Sequence, residues 1–252
     1  RNAAHMELFD QLRYFTVLDG LAVIYLLSAW GILGYVIENP PKKRISTSVL
    51  VADYRREWMV HMITRKPRIF DATVLATLRE GTSFLASACL IAIGGGLAAI
   101  SNAERLSGVA RDLALDAPAI IWEVKILLAL FFITNAFLKF IWSNRLFGYC
   151  GVVMASVSND ESDPQALPRA RKAGELNITA ARAFNAGIRG LYFALGALSW
   201  LLGPEGRLLG GALVIFIVEF TDLIRLLISF ALTAIQSPPF FRLFYRVSKN
   251  FF

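Results

Sequence analysis

Histidine and cysteine are scarce in this chain, with two of each among 252 residues. His5 lies in the opening "RNAAHM", whose first five residues read as an expression-vector remnant ahead of Met6; that leaves His61 as the one histidine to argue from. A haem or metal centre of the usual histidine-ligated membrane type needs more than one. Cys89 and Cys150 both sit inside apolar runs. That placement excludes a disulfide framework and a thiolate metal cluster, and leaves them as small core residues.

Catalytic signatures are missing too. HExxH, CxxC, a P-loop and GxSxG do not occur. The "GGG" at 94–96 falls in the middle of an apolar run rather than after a strand, so it does not read as a phosphate cradle. We therefore expect neither an enzyme nor a bound cofactor. A cleavable signal peptide is not expected either, because the first apolar run has no basic segment before it and no small-x-small cleavage site within it.

Charge is also sparse: 18% of residues are charged and 56% are hydrophobic, too apolar for a soluble domain of this length. The net charge of +7 could serve nucleic acid or anionic lipid, and the positions of the cations decide for the membrane. A hydrocarbon core about 30 Å thick needs roughly 20 apolar residues in a helix. Four stretches approach that length, at about 16–37, 82–101, 119–142 and 184–203. A fifth, 208–235, is interrupted by Glu219, Asp222 and Arg225.

Segment 38–79 carries nine Lys and Arg and segment 143–183 five, whereas 102–118 carries Arg105 and Arg111 alone. The positive-inside rule then puts the N-terminus outside and the C-terminus in the cytoplasm of an inner-membrane protein. The expected fold class is an all-α integral membrane protein, a bundle of four to five transmembrane helices with cytoplasmic amphipathic helices. It forms one domain over 6–236, with a cytoplasmic tail at 237–252.

In the second span, Ala88, Ala92 and Gly96 recur every four residues, with Gly95 and Ala99 as another such pair. Spacing of this kind suits close helix packing, within the bundle or between protomers of a homo-oligomer. "NPPKKR" stops the first helix and presents Lys42, Lys43 and Arg44 to anionic lipid. After it, Thr47 or Ser48 can cap an amphipathic helix through Met62, with Val51, Tyr54, Trp58 and Met62 on one face. A new helix is expected after Pro67, running into the second span, with Asp71 and Glu80 paired to Arg68 and Arg79. Another is expected from about Pro168 toward the fourth span, after a mobile acidic loop at 159–163.

Charges inside a bilayer cost about 2.5–3.5 kcal/mol each on insertion scales, so they are the candidate functional residues. Lys125, Phe132 and Lys139 repeat every seven residues, with Asn135 one turn before Lys139. Together with Arg189 they suit a cation-lined path for a small anionic solute. Snorkelling of each lysine to the nearer surface accounts for the same residues, as does neutralisation by Glu123 or Glu219. Glu219 and Asp222 could form an acid/base pair, as a lipid-modifying enzyme would need, or a ladder neutralised by Arg225.

The strings at 54–97, 123–150 and 181–204 closely resemble a family of bacterial and plant multi-pass membrane proteins defined as domain of unknown function 599. "RR-x-WM", "R-x-x-D", "F-x-KF-x-W-x-x-R-x-x-x-YC" and "FN-x-G-x-R-x-x-YFAL" carry the resemblance. It implies an integral membrane α-bundle and supplies no substrate, cofactor or catalytic residue. The leading functional expectation is a homo-oligomeric channel or transporter for a small charged solute. The second is a membrane scaffold or assembly factor that docks a partner or anionic lipid through its basic cytoplasmic face.

Overall fold

The structure is a computed structural model that describes residues 17–38, 47–102 and 119–199. These hold five helices: α1 (Val17–Glu38), α2 (Thr47–Thr64), α3 (Ile69–Ser101), α4 (Ala119–Ala155) and α5 (Ala166–Ser199). The expected fifth span at 208–235, the tail and the Lys42–Arg44 cluster lie outside the described residues.

α2 ends where Pro67 removes a backbone donor, and α3 begins two residues later with Asp71 in its first turn, where the helix dipole favours an acid. At the other end of α3, the Asn102 side chain donates to the carbonyl of Ala98 at 2.9 Å and Ser101 donates to that of Leu97 at 3.1 Å. Carbonyls that the helix cannot satisfy internally are thereby capped.

At 33, 37 and 34 residues, α3, α4 and α5 are roughly 50–55 Å long at about 1.5 Å per residue. That exceeds the apolar spans expected inside them. α4 in particular continues unbroken past Trp142 to Ala155. The α3 helix and α4 from Ile120 are the two described helices long and apolar enough to cross a membrane. Only 11% of the most apolar stretch of α3 is buried in the bundle.

Two apolar cores are stacked along the bundle. The first joins α2, the start of α3, the end of α4 and the start of α5 through Met59, Met62, Leu75, Phe147, Cys150, Met154, Ala170 and Ala173. We refer to this as the α2 end. The second core fills the other half with Cys89, Leu130, Phe132, Ala136, Phe140 and Phe193. There Trp30 of α1 meets the rings of Phe131 and Phe132 edge-on at 6.0 and 5.8 Å.

Close helix approaches occur along α5 and at one point on the small-residue face of α3, where a Cβ on Gly96 would stand 2.5 Å from the Leu130 side chain. A Cβ on Gly187 would stand 2.6 Å from the Phe140 ring, and one on Gly190 would stand 3.1 Å from the Cβ of Ala136 and 3.3 Å from the carbonyl of Phe132. On α3, Ala88, Ala92 and Gly95 are exposed, while Gly96 packs under Leu130 and Ala99 is half-buried. The expected face of α2 is also rotated. Tyr54 is exposed, and the inward side holds Ala52, Arg55, Met59, Met62 and Ile63. The reason lies in α5, where Gly174 admits the α2 backbone, with the Cα of Arg56 3.7 Å from the missing Cβ.

Candidate functional site

The largest concentration of buried polar groups is at the α2 end. Arg55, half-buried on the inner face of α2, donates to the side-chain carbonyl of Asn177, which is wholly buried on α5. The Asn177 amide in turn lies 3.7 Å from the sulfur of Cys150, whose thiol donates to the Ala173 carbonyl at 3.3 Å. Burial pushes the Arg55 pKa down, and the guanidinium has no carboxylate partner among the described residues. A desolvated cation held by a neutral amide is a costly arrangement, so Asn177 is needed wherever Arg55 is buried.

A second unit ties α2 to α3. Asp71 is fully buried, and its Oδ1 accepts from the Trp58 indole at 2.6 Å and from the Arg65 guanidinium. Among the described residues its other oxygen has no partner, and neither does Nε of Arg68 one turn earlier. Arg68 does not pair with Asp71. Instead it clamps three carbonyls, donating to Val157 and Ser158 at 2.7 Å and to Ile63 at 3.2 Å. The last turn of α2 and the chain just past the end of α4 are thus bonded to one guanidinium.

On the outside, Arg56 bonds Glu175 of α5 at 2.7 Å and Asp53 at 2.8 Å, and the Glu175 bond holds its pKa up. Both carboxylates are exposed, so each pair contributes about 0–1 kcal/mol. The loop at 159–163 is built on its own acids: Asp160 accepts from the Ser162 backbone at 3.0 Å and Asp163 from that of Gln165 at 2.9 Å. The expected Glu80–Arg79 pair does not form among the described residues.

The candidate path residues do not share one environment. Lys125 is half-buried with its ammonium 5.7 Å from the Trp122 ring centre, Asn135, Glu123 and Arg189 are half-buried, and Lys139 is exposed on the outside of the bundle. Between the two lysines, Phe132 has no exposed surface. Glu219, Asp222 and Arg225 lie outside the described residues.

Chemically, the α2 end can cross-link helices. No group of His, Cys, Asp and Glu suited to a metal ion occurs among the described residues, and His61 is exposed. Sequence reasoning had Arg55, Arg56 and Met59 only as motif letters, Trp58 as part of an amphipathic face, Arg68 and Asp71 as an ion pair and Cys150 as a small core residue, and had missed Asn177. The available signal was a lone amide on a helix face otherwise made of Ala170, Ala173, Gly174 and Ala180.

Comparison with known proteins gives the chain a family. The family model described as "Protein of unknown function, DUF599" matches residues 21–225. The chain belongs to this family. No curated protein and no solved structure matches it. The DUF599 match takes in the whole polar network of the α2 end, and also Glu219, Asp222 and Arg225. The chain's own strings RR-x-WM and R-x-x-D meet YC, some eighty residues further on, at one end of the bundle.

Proposed function

We propose that this DUF599 protein is a multi-pass inner-membrane scaffold, without catalysis of its own, whose α2 end projects into the cytoplasm and docks a partner protein. Its placement in a bilayer is supported by α3, an apolar helix of 33 residues with most of its apolar stretch unburied, which a soluble core helix would not be. The cytoplasmic side of that placement rests on the nine cations of segment 38–79.

The observation that carries the docking reading is helix continuity. α3, α4 and α5 are each about 20 Å longer than a hydrocarbon core requires, and the excess is gathered at one end and cross-linked by Arg55, Arg68 and Asp71. A lipid-facing bundle does not need such a cap, whereas a docking module does. At its tip Ile69 and Phe70 are 70% and 62% exposed beside Arg65 and Lys66. Arg65 is paired to Asp71 and Lys66 to Glu161, so the exposed apolar pair suits a partner with an apolar anchor and a polar rim.

Affinity purification from native membranes, with crosslinking, tests this. The wild type retains one foreign protein in stoichiometric amount, and Ile69→Glu with Phe70→Glu loses it; recovery of self-associated chains alone would refute the reading.

A second reading, the homo-oligomeric channel for a small anionic solute, is favoured by one observation: Lys139 faces outward one turn inside Trp142. Phe132, Ala136 and Phe140 have no exposed surface, so this half of the described bundle is solid. A path would then run between protomers. Liposome flux, compared with Lys139→Met and Arg189→Met, decides it, and no flux of any ion in the wild type removes it.

A further inference from the structure

On the outer surface, two arginines from different helices stand beside consecutive residues of α4, Gly148 and Tyr149. The Arg79 guanidinium of α3 reaches across to α4, where a nitrogen lies 4.0 Å from the position a Cβ of Gly148 would occupy. Arg145, one turn earlier on α4, turns the same way. Its Nε donates to the Tyr149 hydroxyl at 2.5 Å, and its guanidinium lies 5.5 Å from the centre of that ring.

One guanidinium therefore stands beside Gly148 and the other beside Tyr149, the next residue. Like charges repel, and neither arginine has an ion pair among the described residues; Glu80, adjacent to Arg79 in sequence, pairs with neither. The backbone below them is fixed, since the Asn144 amide donates to the Arg79 carbonyl at 3.2 Å and to the Ser83 hydroxyl. With no side chain, Gly148 puts no bulk beside the Arg79 guanidinium.

The height of this cleft selects the anion. On one side lie exposed Phe84 of α3 and exposed Leu138, Ile141 and Trp142 of α4. At the cleft's own level, Ser143 bonds the Ala180 carbonyl of α5 at 2.8 Å, which brings exposed Arg182 into the same layer. An outward surface that changes from apolar to aromatic to cationic over two turns has the profile of a headgroup boundary.

We propose that Arg79 and Arg145, with the Tyr149 hydroxyl, bind the phosphate of an anionic phospholipid of the cytoplasmic leaflet. Two planar donors set on separate helices suit a phosphodiester bridged between them. A lipid bound there bridges α3 and α4 at the level where the bundle leaves the bilayer. The site rests on the membrane placement proposed above and is independent of any docked protein.

Native mass spectrometry of the full chain, released from vesicles of phosphatidylcholine with a minor share of phosphatidylglycerol, tests it. The wild type retains phosphatidylglycerol in preference to phosphatidylcholine. At about 1 kcal/mol, or roughly five-fold, per surface arginine, Arg79→Gln with Arg145→Gln lowers that preference on the order of twenty-fold. Gly148→Leu fills the cleft without changing charge and produces the same loss, while Arg171→Gln with Lys172→Gln on the exposed side of α5 leaves the preference intact. Equal retention of the two lipids by the wild type, or wild-type preference in the Gly148→Leu chain, overturns the proposal, as does displacement of the lipid by millimolar inorganic phosphate. Alkaline carbonate extraction separates the two failures: a chain released from membranes sinks the bilayer placement, and a chain that stays in without lipid preference sinks the headgroup site alone.

Discussion

Asp71→Ala asks whether polar bonds, and not only the apolar core, hold the α2 end together. In the folded protein the Asp71 carboxylate is 1% exposed at its side chain and accepts from Trp58 and Arg65 through one oxygen. Without it, the indole N–H has no acceptor, which costs about 1–3 kcal/mol, in the lower part of that range because Trp58 is only half-buried. The Arg65 side chain is 36% exposed and can turn to water, so losing its pair costs at most about 1 kcal/mol.

The sum is about 1.5–3 kcal/mol, and at roughly 2–4 °C per kcal/mol for a chain of this size the melting temperature in detergent falls by about 3–12 °C. A double-mutant cycle makes the cause specific. Trp58→Phe removes the orphaned donor, so the double variant is more stable than the two single losses predict, by about 1 kcal/mol or more. Thermal unfolding followed by far-UV circular dichroism measures all four proteins. A melting point unchanged within 1–2 °C on Asp71→Ala, or strict additivity in the cycle, would refute the reasoning.

Further outcomes follow from the same contacts. Gly187→Ala drives a methyl into the Phe140 ring and costs about 1–3 kcal/mol; Phe140→Leu in the same chain restores part of it, and a neutral Gly187→Ala melting curve counts against the α4–α5 packing. Asn177→Leu strands the Arg55 guanidinium and costs about 1.5–3 kcal/mol, while Arg55→Met with Asn177→Leu recovers most of the loss in the same thermal assay. Phe132→Ala opens a cavity where Trp30 and Phe193 meet it and lowers stability by about 3–5 kcal/mol. Lys139→Met leaves the melting point level or raises it, because the ammonium is exposed; a fall would mean that Lys139 has a partner inside the assembly.

Much of the fold was legible because its signals are local. Pro67 stops α2 and restarts the chain as α3, and the run from Pro168 leads unbroken through α5. What stayed hidden depends on partners far along the chain. The apolar span was set at 119–142, and hydropathy cannot distinguish a helix that leaves the membrane from one that stops, so the continuation of α4 to Ala155 stayed hidden. The face of α2 is chosen by Gly174, more than a hundred residues away, and so is the partner of Arg55. The seven-residue repeat of Lys125, Phe132 and Lys139 put them near one side of a helix, and along that side the structure has a half-buried, a fully buried and an exposed residue. A repeat sets direction, though, and says nothing about whether a neighbour covers that side at each height. Trp30 and Phe193 cover Phe132, and Lys139 is left outside.

The polar network has a reason beyond stability. Replacing a buried ionic group by a well-packed apolar one is often neutral or favourable, so Arg55 and Asn177 are poor choices if holding α2 down were the whole task. The surface α2 lies on, however, is made of Ala170, Ala173 and Gly174. Such a surface lets helices approach closely and offers few knobs to fix how far one slides along the other. Directional bonds supply what the smooth surface lacks. Arg55 to Asn177 and Arg56 to Glu175 set the register of α2 on α5, and Trp58 to Asp71 sets it against α3. An apolar replacement at Arg55 and Asn177 can therefore keep the melting point while losing the single register. If the α2 end presents Ile69 and Phe70 to a partner, that register decides where they stand.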